Sequence, residues 1–321
     1  MAMSMGSFAS RVVATVVVAT DGTGDFTDIQ SAIDALPAGG GVVYIKEGDY
    51  VLTDDLDVNI ANVSLVGAGH STVISTVTAG ITLLSVTHNY FTVENICFDT
   101  SGANAAHCIF LDASHYSIIR ACWFIGSAGT PGWHIYPEGC DYLKLLDCFF
   151  LNGTECFSQQ GNACDHAIIS GNFFNTPRGI CVNLAFTSDG MLIANNTFRS
   201  GSDSMLYIRG YRVIITNNLI DTTVKHGIYL LGGYQNIIGN NVIRGCDSAD
   251  AASYDGIFLY DTVDNIVSNN VVHVCDRYQI NVSDAGCANN KIEGNSYDDT
   301  GCVGGINDAG TGTVIDHNQS V

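Results

Sequence analysis

The sequence is short of proline and of positively charged side chains. Only 4 of its 321 residues are proline, and 12 Lys and Arg stand against 32 Asp and Glu, so the formal net charge is −20. A surface of this sign repels nucleic acid, and we therefore exclude nucleic acid as a partner. Hydrophobic residues make up 46% of the chain, which excludes intrinsic disorder.

Long hydrophobic runs are also missing. The longest nearly apolar stretch, residues 11–20, is far too short to span a membrane, and no clear cleavage pattern for a signal peptide follows it. We read residues 1–10 as a disordered leader and 11–20 as the start of a first β-strand. The sequence therefore predicts a soluble protein with no membrane partner, and an extracellular or virion-surface location is compatible with it.

The metal-binding motifs that cysteine would supply are absent. The chain has 12 cysteines but no CxxC pair, so a zinc site is not expected, and the cysteines lie mostly in apolar runs typical of buried free thiols. Aspartates are grouped in one long turn, at Asp247, Asp250, Asp255, Asp261 and Asp264. Because scattered turn aspartates are common, we predict no metal and no cofactor, with Ca²⁺ considered only if the protein is a lyase.

What is abundant is one repeated segment with asparagine in the middle of an apolar run. It reads "LIANNTF" at 192–198, "IITNNLI" at 214–220, "NIIGNNVI" at 236–243 and "IVSNNVV" at 266–272. Aligned on the second asparagine, the units repeat every 22–29 residues. We predict that Asn196, Asn218, Asn241 and Asn270 point inward and bond one another as a ladder between stacked coils.

This period, with two or three short strands per unit, predicts an all-β fold. It is a single-stranded right-handed parallel β-helix, a solenoid of about ten coils. Residues 27–36 have an amphipathic helical pattern, with Thr27 and Gln30 as a capping box, and should cover the open N-terminal end. The predicted domain spans 11–321, with a cap over 11–50 and coils over 51–321.

The opening of this domain carries a family resemblance. The segment from "VVATDGTGDFTDIQSAIDALPAGGGVVYIKEGDY" to "NVSLVGAGHSTVI", residues 17–74, resembles the start of pectinesterases and of the wider pectin lyase-like superfamily. The resemblance implies a parallel β-helix and activity on carbohydrates. The catalytic motifs of pectinesterases, polygalacturonases and alginate epimerases do not occur here, so no catalytic residue is carried over.

Alternation along the second strand of each coil predicts an outward face suited to a sugar chain. Inward positions at Ile135, Ile180 and Leu206 would place a tyrosine stripe beside a stripe of carboxylate, amide and guanidinium groups. Aromatic faces contact sugar C–H surfaces, and polar tips bind hydroxyls. The substrate-binding residues expected on this face are His134, Tyr136, Gln160, Asn183, Tyr207, Tyr229 and Tyr260.

Asp112 and Glu138 fall in one column on neighbouring coils, about 4.8 Å apart at the backbone. Carboxyl groups at about 5 Å suit retaining glycoside hydrolysis, so this pair is the predicted acid and base. Arg209 is the third candidate catalytic residue, as a uronate partner or a lyase base, although an ion pair with Asp203 would also explain it. A solvated edge with two turn acids is the alternative for the pair.

The favoured function is cleavage of a polysaccharide or oligosaccharide by hydrolysis. The alternatives are a non-catalytic structural or adhesive β-helix, such as a viral tail or surface fibre, a glycan-binding module, and a Ca²⁺-dependent polysaccharide lyase. The pattern "TVIDHNQSV" at 313–321 is still that of a coil. It predicts exposed apolar core at that end and self-association through it, most simply as a dimer or trimer.

Overall fold

The computed structural model describes residues 14–102, 107–126, 132–248, 252–298 and 300–321, and the predicted leader at 1–10 lies outside them. The chain forms a right-handed parallel β-solenoid of about twelve coils, with one short helix in the described residues. The fold class is confirmed. The predicted number of about ten coils is too low, because strands Ala14–Val18 and Gly41–Ile45, assigned to the cap, already belong to the first sheet.

Each complete coil contributes one strand to each of three parallel sheets, and the incomplete coils at the ends make the sheets unequal, with 13, 12 and 11 strands among the described residues. Sheet A consists of Ala14–Val18, Gly41–Ile45, Val63–Gly67, Thr92–Glu94, Ile118–Arg120, Lys144–Leu146, Ile168–Ser170, Leu192–Ala194, Ile214–Thr216, Ile237–Gly239, Ile266–Ser268, Lys291–Glu293 and Val314–Asp316. Sheet B consists of Gly48–Leu52, Thr72–Thr76, Cys97–Asp99, Trp123–Ile125, Phe149–Leu151, Phe173–Asn175, Thr197–Gly201, Leu219–Thr223, Val242–Cys246, Val271–Cys275, Ser296–Tyr297 and Gln319–Ser320. Sheet C consists of Asp57–Val58, Thr82–Val86, His107–Asp112, Trp133–Glu138, Glu155–Gln159, Val182–Asp189, Leu206–Tyr211, Ile228–Leu231, Ile257–Tyr260, Tyr278–Val282 and Gly304–Asp308.

The predicted asparagine ladder is present at the turn between sheets A and B. The Oδ1 of Asn218 accepts from both the backbone N–H and the Nδ2 of Asn196, each at 3.0 Å. Asn218 in turn donates to Asn241, and Asn241 to Asn270, with the same geometry. The four side chains are buried, so each amide satisfies polar groups that water cannot reach.

The first asparagine of each pair has a different role from the second. Asn217 and Asn240 are exposed and have φ values of 56° and 58°, in the left-handed region. Asparagine tolerates this conformation better than most residues, and glycine occupies the same position at Gly171 with φ 73°. The doubled asparagine therefore combines a left-handed turn residue with an inward ladder residue.

A second ladder, absent from the sequence prediction, lies at the turn between sheets C and A. Asn236 donates from its backbone and side chain to Asn265, and Asn265 donates likewise to Asn290. Beside the first ladder runs an inward column of phenylalanine rings. Its rings stack at centroid distances of 4.6–5.4 Å, and the column consists of Phe98, Phe124, Phe150, Phe174 and Phe198.

The helix Ile29–Asp34 packs against the first two strands of sheet A. Its buried residues Ile29, Ala32 and Ile33 are those that the amphipathic pattern predicted. The predicted capping box is wrong: Asp28 is the N-cap, and its side chain accepts from the backbone N–H of Ser31. Gln30 instead bonds both backbone groups of Asp57, which ties the helix to the first strand of sheet C.

All 12 cysteines are free thiols, and every one except Cys302 is buried. Several donate to backbone carbonyls, as Cys122 and Cys148 do to the residue two positions earlier. They therefore fill the core as small apolar residues, in agreement with the sequence.

In the part of the chain that the structure describes, no helix combines the length and hydropathy that a membrane span requires.

The last coil exposes apolar side chains. Ile315 is 46% exposed, although Ile292, which occupies the same position on the preceding coil, is buried. A hollow of about 390 Å³ lies there, lined in part by Tyr297 and Ile306. Self-association through this surface stays a prediction.

Candidate functional site

The outward face of sheet C carries the predicted site residues in three columns of side chains. Tyr136 follows Phe110 in the middle column, and Glu138 follows Asp112 in the next, as backbone pairing between the strands shows. Tyr207, Tyr229 and Phe258 continue the middle column toward the C-terminal end. The structure therefore confirms the register of the predicted face at both of its ends.

The register differs from the prediction in the coil between them. Val182, not Ile180, pairs with Phe157 and Leu206, because the strand Val182–Asp189 starts two residues later than expected. Asn183 consequently lies in the middle column, between Ser158 and Tyr207, rather than in the carboxylate–amide column. Gln160 remains partly exposed at the edge of the face, where its Nε2 donates to Ser158 Oγ at 3.1 Å.

The assignment of His134 to substrate binding is wrong. Its side chain points into the core and is 1% exposed, with Phe124 and Phe150 against its ring. Gly153 makes room for it, since a Cβ there would lie 2.4 Å from His134 Cε1. The sequence prediction failed because His134 immediately precedes an inward residue, whereas the outward column lies one residue further back.

That outward column contains Glu155, which the sequence prediction passed over. Glu155 occupies the same position as Trp133 on the preceding coil. Asn183 Nδ2 donates to Glu155 Oε2 at 3.2 Å. Burial raises the pKa of Glu155, the hydrogen bonds from Ser158 and Asn183 oppose that rise, and the negative charge of Asp203 adds to it. A carboxyl group held in this way is suited to be a general acid.

An unsatisfied acceptor lies beside this carboxyl. Asn183 is 5% exposed, and its Oδ1 is buried without a hydrogen-bond partner among the described residues. The Nδ2 of the same amide donates to Glu155, so this amide orients the carboxyl while its own Oδ1 lacks a donor.

Asp203 is the other carboxylate at this part of the face. It precedes the strand Leu206–Tyr211, two coils from Glu155, which corresponds to roughly 10 Å along the solenoid. Lys225 Nζ donates to Asp203 Oδ2 at 2.7 Å, and this hydrogen bond raises the pKa of Lys225. Asp203 therefore pairs with Lys225 and not, as the sequence alternative had it, with the exposed Arg209.

Toward the N-terminal end of the face lies a group of rings that we call the first aromatic cluster. It consists of His107, Phe110, Trp133 and Tyr136. His107 stacks on Trp133 at 5.1 Å, and Trp133 meets Tyr136 edge-on at 4.7 Å. Burial lowers the pKa of His107 to about 4, so its ring is neutral near pH 7, and its Nδ1 has no described partner.

The carboxylate next to this cluster is already engaged. Tyr136 Oη donates to Glu138 Oε1 at 2.5 Å, and burial together with this bond raises the pKa of Tyr136 to about 12. Asp112 is exposed at the neighbouring position of the adjacent strand. The predicted carboxylate pair therefore lies side by side, but one member is bound to a tyrosine of the same face.

Toward the C-terminal end lies a second aromatic cluster. It consists of Tyr207, His226, Tyr229, Tyr254 and Phe258. The ring of His226 stacks on Phe258 at 4.5 Å with the planes 5° apart, and Tyr229 packs at 5.3 Å from His226. Tyr260 is exposed at the edge of this cluster, 6.3 Å from Phe258.

A buried ion pair supports the second aromatic cluster. Asp255 is fully buried and accepts from Arg277, Asn281 and the backbone N–H of Tyr278. Burial raises the pKa of Asp255, and these donors oppose that rise. The backbone N–H of Asp255 also donates to His226 Nδ1 at 3.0 Å. Burial lowers the pKa of His226 to about 4, so the neutral ring carries its proton on Nε2.

The described residues include no group of three or more His, Cys, Asp or Glu side chains that could hold a metal ion. Of the turn aspartates considered for Ca²⁺, Asp250 lies outside the described residues. Asp247 accepts from the backbone N–H groups of Ser253 and Tyr254, and Asp255 is bound to Arg277. These two carboxylates therefore serve local structure.

Comparison with known families agrees with this architecture. Residues 160–320 match the family model described as right handed beta helix region, which is half of the chain. The chain belongs to the right-handed β-helix family. Residues 15–135 match the pectinesterase model, and with the first match this supports the pectin lyase-like superfamily, as the opening segment had indicated.

Individual relatives of this β-helix protein are distant. It is 30% identical over 159 residues to Pectinesterase 2 of Citrus sinensis, covering 44% of this chain and 31% of that one, so it spans about a third of this curated relative. The solved Dettilon tailspike protein superposes with a TM-score of 0.70 at 17% identity, over 94% of this chain and 68% of the other. An exopolygalacturonase from Thermotoga maritima gives a TM-score of 0.59 at 12% identity, over 89% and 86%. At these identities the solved structures show the fold alone.

Proposed function

We propose that this β-helix protein hydrolyses a polysaccharide on the outward face of sheet C, with Glu155 as general acid and Asp203 as general base. The observation that carries the proposal is the half-buried Glu155, whose pKa is raised and whose neighbour Asn183 presents an unsatisfied acceptor. Carbohydrate-active relatives and fold neighbours, named as pectinesterases, tailspikes and an exopolygalacturonase, support a polysaccharide as the ligand. Their names also fit an extracellular or virion-surface location.

The spacing of the two coils favours inversion over retention. Two coil steps put the backbones of Glu155 and Asp203 roughly 10 Å apart, which is much closer to the carboxyl separation of about 6.5–9.5 Å in inverting enzymes than to the about 5 Å of retaining ones. Asp203 takes a proton from a water molecule while the oxygen of the water bonds to the anomeric carbon. The glycosidic C–O bond breaks, and the leaving oxygen takes the proton from Glu155. Lys225 holds Asp203 in position throughout.

The charges on the face favour a neutral glycan over a polyuronate. Five carboxyl groups belong to it or lie at its edge, namely Asp112, Glu138, Glu155, Asp203 and Asp255. Lys225 and Arg277 are each bound to one of them. Arg178 and Arg209 are exposed and have no ion pair among the described residues, and two cations are too few to offset a run of uronate charges.

The test is reducing-sugar release from a panel of neutral polysaccharides and polygalacturonate. Glu155→Gln and Asp203→Asn should each lower the rate by at least about a hundredfold, as loss of a general acid or base does. Glu293→Gln, which changes a partly exposed glutamate of sheet A that is paired with Lys291, is the matched control and should keep full activity. Full activity in Glu155→Gln would overturn the assignment.

Asp112 and Glu138 remain the second candidate pair, because their register suits a retaining mechanism. Asp112→Asn and Glu138→Gln belong in the same assay, and products of retained configuration that vanish with these variants would favour that pair. Absorbance at 235 nm, with and without Ca²⁺, tests the lyase alternative, in which Arg209 is the base. Binding of the glycan without any cleavage would support the adhesive or glycan-binding alternative.

A further inference from the structure

We infer that one glycan chain lies across both aromatic clusters at once, so that the protein binds sugar units on both sides of Glu155 and cleaves within a chain rather than at its end. This rests on the proposed function for the position of the cut. The binding itself rests on the clusters alone. The substrate of this arrangement is an extended neutral glycan running parallel to the solenoid axis.

The arrangement of the face carries the inference. Between the two clusters, the middle column changes from aromatic to polar side chains at Ser158 and Asn183, and then returns to aromatic ones at Tyr207. Glu155 lies in that polar stretch. A reacting bond at Glu155 therefore has an aromatic surface on each side of it, which a binding site for a chain end does not require.

The distance between the clusters also fits an extended ligand. Trp133 and His226 are in the same outward column, and four coil steps separate them. At about 4.8 Å for each step the separation is roughly 19 Å, well beyond the reach of a single sugar unit. A ligand that contacts both clusters must therefore be an oligosaccharide, and its middle must pass over Glu155 and Asn183.

Each cluster contains a histidine ring that is neutral near pH 7. In the first cluster, burial lowers the pKa of His107, and its buried Nδ1 has no described partner. In the second, Nδ1 of His226 accepts from the backbone N–H of Asp255, so the proton of the neutral ring is on Nε2. Neither cluster therefore requires a charged ligand.

The experiment measures binding as a function of chain length. Cello-, malto- and laminari-oligosaccharides of two to eight units are titrated calorimetrically into Glu155→Gln protein, with oligogalacturonates as the charged series. For one neutral series, affinity should rise steeply at the length that first bridges the clusters. Trp133→Ala and Tyr229→Ala, each in the Glu155→Gln background, should then both lower the affinity of the longest member about tenfold. A short member should respond to only one of them.

Two control variants keep the result interpretable. Tyr229→Phe retains the ring and should keep the affinity, which separates loss of an aromatic surface from loss of folding. Tyr142→Ala removes a 42% exposed tyrosine from a stack outside sheet C and should change nothing. Three results would each overturn the inference. The first is an affinity that does not depend on the length of the oligosaccharide, and the second is a long oligosaccharide whose affinity falls in only one of the two alanine variants. The third is no binding by any neutral series at millimolar concentration.

The products of the active protein complete the test. Cleavage within the chain should release oligosaccharides of mixed length early in the reaction, and Trp133→Ala and Tyr229→Ala should shift the product sizes in opposite directions. Release of a single short product throughout would overturn the inference while leaving the hydrolase proposal intact. Binding across both clusters without any cleavage would support the bridged binding mode and overturn the hydrolase proposal.

Discussion

Replacing Asn218 by leucine removes the middle of the asparagine ladder. Asn218 Oδ1 accepts the backbone N–H and the Nδ2 of Asn196, and its Nδ2 donates to Ile193 O at 2.9 Å and to Asn241 Oδ1 at 3.0 Å. The leucine variant therefore leaves two buried donors without a partner, namely the backbone N–H of Asn196 and one side-chain N–H of Asn196. The carbonyl of Ile193 loses one of its donors but stays in the strand pairing of sheet A.

Each buried group without a partner costs about 1–3 kcal/mol, so the expected loss in the free energy of unfolding is roughly 2–6 kcal/mol. At about 2–4 °C per kcal/mol for a large domain, the midpoint of thermal unfolding should fall by on the order of 10 °C. Circular dichroism at increasing temperature measures it, at one scan rate for all variants.

Two further variants isolate the cause. Asn217→Gly changes the exposed neighbour in the same turn, keeps its positive φ accessible, and should shift the midpoint little. Asn318→Leu removes a partly exposed ladder residue with similar hydrogen bonds, and water can reach the groups that it leaves, so its effect should be smaller. A midpoint for Asn218→Leu equal to that of the unaltered protein would refute the ladder argument.

The remaining predictions concern pH, the buried ion pair and association. The pKa values of His107 and His226 are lowered to about 4 from about 6.5, so the unfolded chain binds more protons between these values, and stability should be complete above pH 6.5 and fall as pH drops toward 4. Urea unfolding at pH 8 and pH 5 measures the loss, and a midpoint that rises toward pH 5 would contradict it. Arg277→Met leaves Asp255 buried without its cation and should cost about 3–5 kcal/mol, less at pH 5 than at pH 8 because the orphaned carboxyl protonates. An equal loss at both values would show that the charge is not the cause. Light scattering at high micromolar concentration should detect a dimer or trimer formed through the last coil, and a strict monomer would exclude it.

The sequence predicted the parts of this fold that repeat and missed those that do not. The column of Asn196, Asn218, Asn241 and Asn270 recurs at nearly constant spacing, so one alignment is enough to place all four inside. The strand that begins at Val182 has no repeated motif that fixes its register. The loop before it changes the register by two residues relative to Ile180, and nothing in the local pattern of apolar residues marks the change.

The same limit applies to the candidate site. His134 stands one position before an inward residue and His226 stands two positions before one. This difference of one position puts His134 in the core and His226 in the outward column, where neighbouring rings cover it. Glu155 could have been found from the sequence, because it stands two positions before the inward Phe157. The pKa of its carboxyl could not, since its burial depends on Asn183 and on other side chains far away in the sequence.

Because the coils stack in register, positions along the outward face of sheet C are separated by whole coil steps. Every coil inserted or removed between Trp133 and His226 changes the separation of the two aromatic clusters by one step of about 4.8 Å, and no intermediate separation is available. A ladder residue such as Asn196 bonds only its neighbouring coils, so a whole additional coil bearing asparagine at that position would continue the ladder unchanged. Duplicating the coil that contains Asn183 would therefore lengthen the polar stretch between the two aromatic clusters without altering either cluster. Under the proposed function, the length of the recognised glycan can therefore change in evolution through gain or loss of whole coils, without a change in the residues at the site of cleavage.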